Sequence, residues 1–162
     1  MPILYSRSND GENSREPENI IIPDIDSSNY LGFSPDIYDI SAEGDNVAIL
    51  IGESWVGLIL MKSTDSGDTW EKTVVWENPY PLWNATPTDT FYAADGSHSL
   101  AFDQSGKVHI VFGINRALSV DGTSQSWFPG VGGIGYWNED RPTFSNNINA
   151  LNPYGHPDSE PI

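Results

Sequence analysis

Seventeen residues of this chain recur. The segment DIYDISAEGDNVAILIG, Asp36 to Gly52, aligns without a gap on SHSLAFDQSGKVHIVFG, Ser97 to Gly113, 61 residues further on. Val47 falls on Val108, Ile49 on Ile110 and Gly52 on Gly113. Each copy reads as a strand, a polar turn and a more apolar strand, because β-branched and aromatic residues flank a short run that holds glycine. A unit repeated at a fixed offset constrains the fold to a repeat architecture, in which each unit buries its apolar face on its neighbour. The alternative is two hairpins of one sandwich that happen to look alike.

The rest of the chain is of the same kind. VGLILMKS and EKTVVWEN are short, apolar and bounded by turn residues, and no window sustains a helical period with caps at both ends. Fifteen Gly and twelve Pro punctuate the sequence throughout. All-β units at this period suit the blades of a β-propeller, each a four-stranded antiparallel meander. On that reading residues 1–23 end one blade, 35–78 form a complete blade, and 97–149 form a further blade with a long inserted loop. The 162 residues then make one partial propeller of roughly two and a half blades, against about four to eight in a closed one. Uncovered blade edges call for the remainder of a larger propeller or for self-association.

Between VGLILM and TVVW lies STDSGDTW, Ser63 to Trp70. Asp65 is placed to accept from the backbone N–H groups that follow it, closing an Asx-type turn. Gly67 suits a positive φ. Ser63 and Thr69 suit leftover backbone groups, and Trp70 suits a cover for the hairpin whose indole N–H finds a carbonyl. The stretch resembles the Asp-box, or BNR repeat, S-x-D-x-G-x-T-W, with Ser63, Asp65, Gly67, Thr69 and Trp70 at its named positions. The resemblance implies a propeller like those of sialidases, Asp-box glycoside hydrolases and sortilin-type receptors, with the box a fold element on the outer rim. Weaker copies are SNDGENS, Ser8 to Ser14, where Asp10 and Gly11 match, and NEDRPTF, where Asp140, Thr143 and Phe144 match.

Lys and Arg number 7 against 23 Asp and Glu, a net charge of −16. Such a chain repels phosphate backbones and anionic membranes, so nucleic acid and membrane insertion are not expected. There is no cysteine, and no apolar run approaches a membrane span. The N-terminal MPILYSRSND does not read as a signal peptide. No zinc spacing or phosphate loop is present, DIDSSN at Asp24 lacks the glycine and final glutamate of a calcium loop, and neither cofactor nor metal is implied. NAT at Asn84 is a glycosylation sequon with Pro87 close behind it.

In a propeller the ligand face is built by loops that lead into the innermost strands and loops that join strands two and three. Here these run from Phe33 to Asp39, Glu53 to Gly57, Tyr92 to Ser99 and Arg116 to Gly133. They carry Asp36, Tyr38, Glu53, Trp55, Tyr92, Asp95, His98, Arg116 and Trp127. Aromatic rings beside carboxylates suit sugars, since rings stack on sugar faces and carboxylates accept hydroxyl protons; the plainer reading is that Trp55 and Tyr92 pack between blades. Sialidase-like members of the family use three arginines, a Tyr/Glu nucleophile pair and an Asp acid/base. None of Arg7, Arg15, Arg116 and Arg141 stands in a matching motif, so no catalytic residue is carried over. The expected role is a non-catalytic binding or scaffold propeller for a carbohydrate or protein ligand. Its location by family resemblance is extracellular or at the cell surface. The alternative is a fragment of a sialidase-like glycoside hydrolase whose catalytic residues lie outside this chain.

Overall fold

Alternating apolar residues build two antiparallel sheets that stack face to face. They are seen in a computed structural model that describes residues 3–8, 11, 14–128 and 132–145. The first sheet is a meander of β3 (Tyr38–Glu43), β4 (Asn46–Glu53), β5 (Gly57–Ser63) and β6 (Glu71–Glu77), with β3 at one edge. The second pairs β7 (Phe91–Phe102), β8 (Val108–Leu118) and β10 (Gly133–Asn138) in that order, and the short β9 (Ser126–Trp127) joins the far end of β8. A two-stranded ladder, β1 (Leu4–Tyr5) with β2 (Ile20–Ile21), precedes them. Among the described residues there is no helix.

The two-residue β11 (Phe144–Ser145) follows NEDRPT and pairs in parallel with β6 of the first sheet, not with β10. Phe144, the residue set against Trp70 in the weaker box, is the reason. Its ring is buried between Trp76 and Phe112, which is more apolar cover than the edge of β10 offers.

The main core lies between the two sheets. Ala48, Leu50, Leu58, Leu60 and Trp76 of the first meet Val108, Ile110, Phe112 and Trp137 of the second. The other face of the first sheet, with Ile49, Ile51, Ile59 and Met61, is covered by Ile22, Ile25, Tyr30, Phe33 and Ile37, with Ile3, Tyr5 and Trp70 alongside. A smaller cluster of Trp55, Phe91, Ala93 and Ala117, flanked by Tyr80 and Trp83, sits under the loops at one end.

Pairing refines the repeat. Ile40 faces Ile49 in the first hairpin, whereas Leu100 faces Ile110 in the second, so the leading strands correspond at 60 residues and the following strands at 61. The turns account for the slip. The first hairpin closes through Gly44–Asp45, directly after the pair Glu43↔Asn46. The second needs Asp103–Lys107, where the Asp103 carboxylate accepts from the backbone N–H of Ser105 and Lys107 at 2.8 and 3.0 Å. β7 also begins at Phe91, before the segment 97–149, because its first residues pair with Ala117 back to Ile114 ahead of a bulge between Ala94 and His98.

The turn from Ser63 to Trp70 closes through its own side chains. Ser63 Oγ donates to Asp65 Oδ1 at 2.7 Å and accepts from Gly67 N at 2.8 Å. Asp65 Oδ1 accepts from Thr69 N at 2.8 Å and Oδ2 from Thr69 Oγ1 at 2.6 Å. Gly67 has φ +91°, and Trp70 packs edge-on to Tyr5 with centroids 5.2 Å apart. The Trp70 indole N–H, expected to reach a carbonyl, is buried without a partner. Arg7 leans on the turn, its guanidinium 2.7 Å from Asp68 and donating to Ser66 O at 2.5 Å. In NEDRPTF the bonds are different. Asp140 pairs with Lys107 at 2.5 Å and Thr143 Oγ1 donates to Val74 O at 2.7 Å, so no Asp–Thr bond closes that turn. Asp10 of SNDGENS lies outside the described residues.

Candidate binding cleft

At one end of the stack four segments converge on an open cleft of about 490 Å³. Leu31 to Ser34 come from the approach to β3, Glu53 to Val56 from the β4–β5 turn, Asp95 from the bulge in β7, and Gln125 and Trp127 from the β8–β10 connection. An antiparallel meander forces this convergence, because alternate turns of successive strands leave the sheet at the same end.

Two carboxylates face this space. Ser34 Oγ donates to both oxygens of Glu53 at 3.2 Å. Asp95 Oδ1 accepts from Ser97 N at 2.7 Å, which closes the bulge and leaves Asp95 exposed. Gly113 makes room for it, since a Cβ there would overlap the Asp95 carboxyl group.

Beneath the cleft Ser54 ties three strands together. Its Oγ donates to Ala94 O at 3.1 Å and accepts from Asn115 Nδ2 at 3.0 Å and Trp127 Nε1 at 3.3 Å. Ser54 is buried, so these bonds are shielded from water. They hold the Trp127 ring over the cleft with half of its surface, 49%, still exposed. Sequence reasoning passed over Ser54. The available signal was its position 61 residues before Asn115, in step with β4 and β8, which sets the two side chains opposite each other across the sheets.

Of the residues singled out from the sequence, Glu53, Trp55, Asp95 and Trp127 line the cleft. Trp55 does so from a buried position, tilted against Trp83 at 4.8 Å and edge-on to Phe91 at 5.1 Å, so its main contacts are within the core. Tyr92 and Arg116 are opposite each other in the β7–β8 ladder, the guanidinium 5.3 Å from the Tyr92 ring and 5.6 Å from that of Phe128. His98 is half-buried between the sheets with Nδ1 unpartnered, and burial pushes its pKa below the usual value. Asp36 is exposed with φ +66°, and Tyr38 lines a separate apolar groove with Ile3, Leu4 and Ile40.

Acidic residues elsewhere close turns. Asp65 is held down to about 2 by the Thr69 hydroxyl and N–H and by the Ser63 hydroxyl. Asp121 is lowered by the backbone N–H groups of Ser124 and Thr123. In DIDSSN, Asp26 accepts from Ser28 N at 2.8 Å. Among the described residues no three of His, Asp and Glu are grouped as a metal ion requires. The cleft therefore offers carboxylate acceptors, a tethered indole and the aromatic and aliphatic walls of Phe33 and Leu31, with no lysine or arginine among the described residues that line it. No family model, curated protein or solved structure matches the chain.

Proposed function

We propose that the chain is a non-catalytic binding module built of Asp-box propeller units, and that the cleft takes a neutral, hydroxyl-rich ligand of the carbohydrate class. The observation that carries this reading is the meeting of Glu53, Asp95 and the half-exposed Trp127 in one cleft without a cation among its walls. Carboxylates accept hydroxyl protons, and an indole held by its N–H leaves its face for the C–H side of a sugar ring. A carboxylated ligand meets repulsion there, since like charges about 4 Å apart cost about 4 kcal/mol at the effective dielectric of a protein surface. Arg116 lies over the Tyr92 and Phe128 rings and is not in the cleft lining, so the cleft itself has no cation to receive a sialoside carboxylate.

The propeller part of the reading is supported by the closed Ser63–Asp65–Thr69 turn and by the way the two sheets stack. A sandwich brings like faces together, whereas here the two repeated strands turn opposite faces to their shared core. An extracellular or cell-surface location belongs to the same proposal and rests on the family resemblance.

The test is calorimetric titration with neutral mono- and oligosaccharides, alongside a fluorogenic sialoside. The expected outcome is weak saturable binding of neutral sugars, lost in Trp127→Ala, with no sialoside turnover. Turnover that survives purification and disappears on replacing Arg116 transfers the assignment to the glycosidase alternative.

A further inference from the structure

The two large sheets are stacked in one direction. Ile49 and Ile51 of β4 correspond to Ile110 and Phe112 of β8, and each pair faces the element that precedes its sheet. Ala48 and Leu50 correspond to His109 and Val111 on the opposite faces. Leu50 is fully buried, 0% exposed, because the second sheet covers it, while Val111 is 48% exposed. Beside Val111, its cross-strand partner Tyr136 and the nearby Ile134, 80% exposed, complete an uncovered apolar face. The second sheet thus leaves open the same face that the first sheet buries.

The other end of the stack is also apolar. The ladder leans on the first sheet through Tyr5 of β1 and through Ile3 and Ile22, which flank its strands. Leu4 and Ile21 are paired across that ladder and are 54% and 48% exposed. Arg141 lies over the Tyr136 ring at 5.2 Å and flanks that face, while exposed Arg15, Glu16 and Glu18 lead into β2.

From this geometry we infer that the chain associates head to tail with a second copy of itself, the Val111–Ile134–Tyr136 face of one copy receiving the Leu4–Ile21 end of the next. The contact continues the stacking already present between the ladder, the first sheet and the second sheet. It is heterologous, since the two surfaces differ, and such contacts propagate to rings or filaments rather than stopping at a symmetric dimer. It is also independent of the ligand reading, which sugar titration tests separately.

The experiment is sedimentation velocity on the full chain across the micromolar range, with Ile134→Glu and Leu4→Glu. Both positions are exposed, and circular dichroism checks the fold; Val111→Glu replaces Ile134→Glu if that variant unfolds. The wild type is expected to show species of at least twice the 17.8 kDa chain mass. Each variant alone is expected to stay monomeric. An equal mixture is expected to give a species of two chains and nothing larger, because one intact face remains on each variant. A wild type that is monomeric throughout, a single variant that still dimerises, or a mixture that stays monomeric overturns the inference.

Discussion

Replacing Gly67 by Ala tests whether the Ser63–Trp70 turn is set by backbone conformation and by one ring at once. Gly67 is buried with φ +91°, and a Cβ there would overlap Tyr5 Oη and come within 3.0 Å of Cζ. The left-handed backbone alone costs an L-residue about 1–2 kcal/mol. Displacing Tyr5 also weakens its edge-on contact with Trp70, a geometry that contributes about 0.5–1.5 kcal/mol. The expected loss is about 1.5–3.5 kcal/mol, or roughly 3–14 °C in Tm for a domain of this size. Gly44→Ala is the control. Its φ is +59° and nothing lies within 4 Å, so only the backbone contribution remains. Urea unfolding of both variants, in the wild-type and Tyr5→Phe backgrounds, separates the two effects. The excess cost at Gly67 should shrink by at least half in Tyr5→Phe, which removes the overlapping hydroxyl. Equal costs at Gly44 and Gly67, or an excess untouched by Tyr5→Phe, refute the reasoning.

Ser54→Ala removes the shared partner of Ala94, Asn115 and Trp127, and should lower stability by about 1–3 kcal/mol while weakening sugar binding, read by urea unfolding and calorimetry. Trp127→Ala should abolish sugar binding and change the urea midpoint little, since that ring is half exposed, whereas Trp55→Ala should unfold the protein at clearly lower urea. Asp65 is lowered in the folded state to about 2 from the ordinary value near 3.8, so its contribution is complete above about pH 4 and is lost as pH falls toward 2. Asp103, lowered chiefly by the Ser105 hydroxyl, and Asp121 act in the same direction, and thermal melts from pH 5 to 2 should show a shallower decline in Asp65→Asn. Burial lowers His98, so the unfolded chain takes up its proton first and stability should begin to fall below about pH 6.5, less so in His98→Gln.

The all-β character was legible because it rests on local signals. Strand residues sit on either side of Gly- and Asp-rich turns, and the bonds that join Ser63, Asp65, Gly67 and Thr69 span at most four positions. The loops around Glu53, Asp95 and Trp127 could be grouped from strand order alone, because alternate turns of a meander share an end. What the residues could not indicate is which distant group takes each local donor or acceptor. NEDRPTF echoes the box with one residue fewer between its Asp and its Thr, but Lys107, 33 residues away, takes Asp140, and Val74, 69 residues away, takes the Thr143 hydroxyl. Phe144 leaves its own hairpin for the core around Trp76 because burying a ring outweighs two ladder bonds at an edge. Ser54 looks like any small polar residue in a turn until β7, β8 and β9 close over it. The repeat marks Leu50 and Val111 as equivalent, and only the stacking of the sheets buries one and leaves the other open, because burial is set by the neighbour a face meets and not by the residues that compose it.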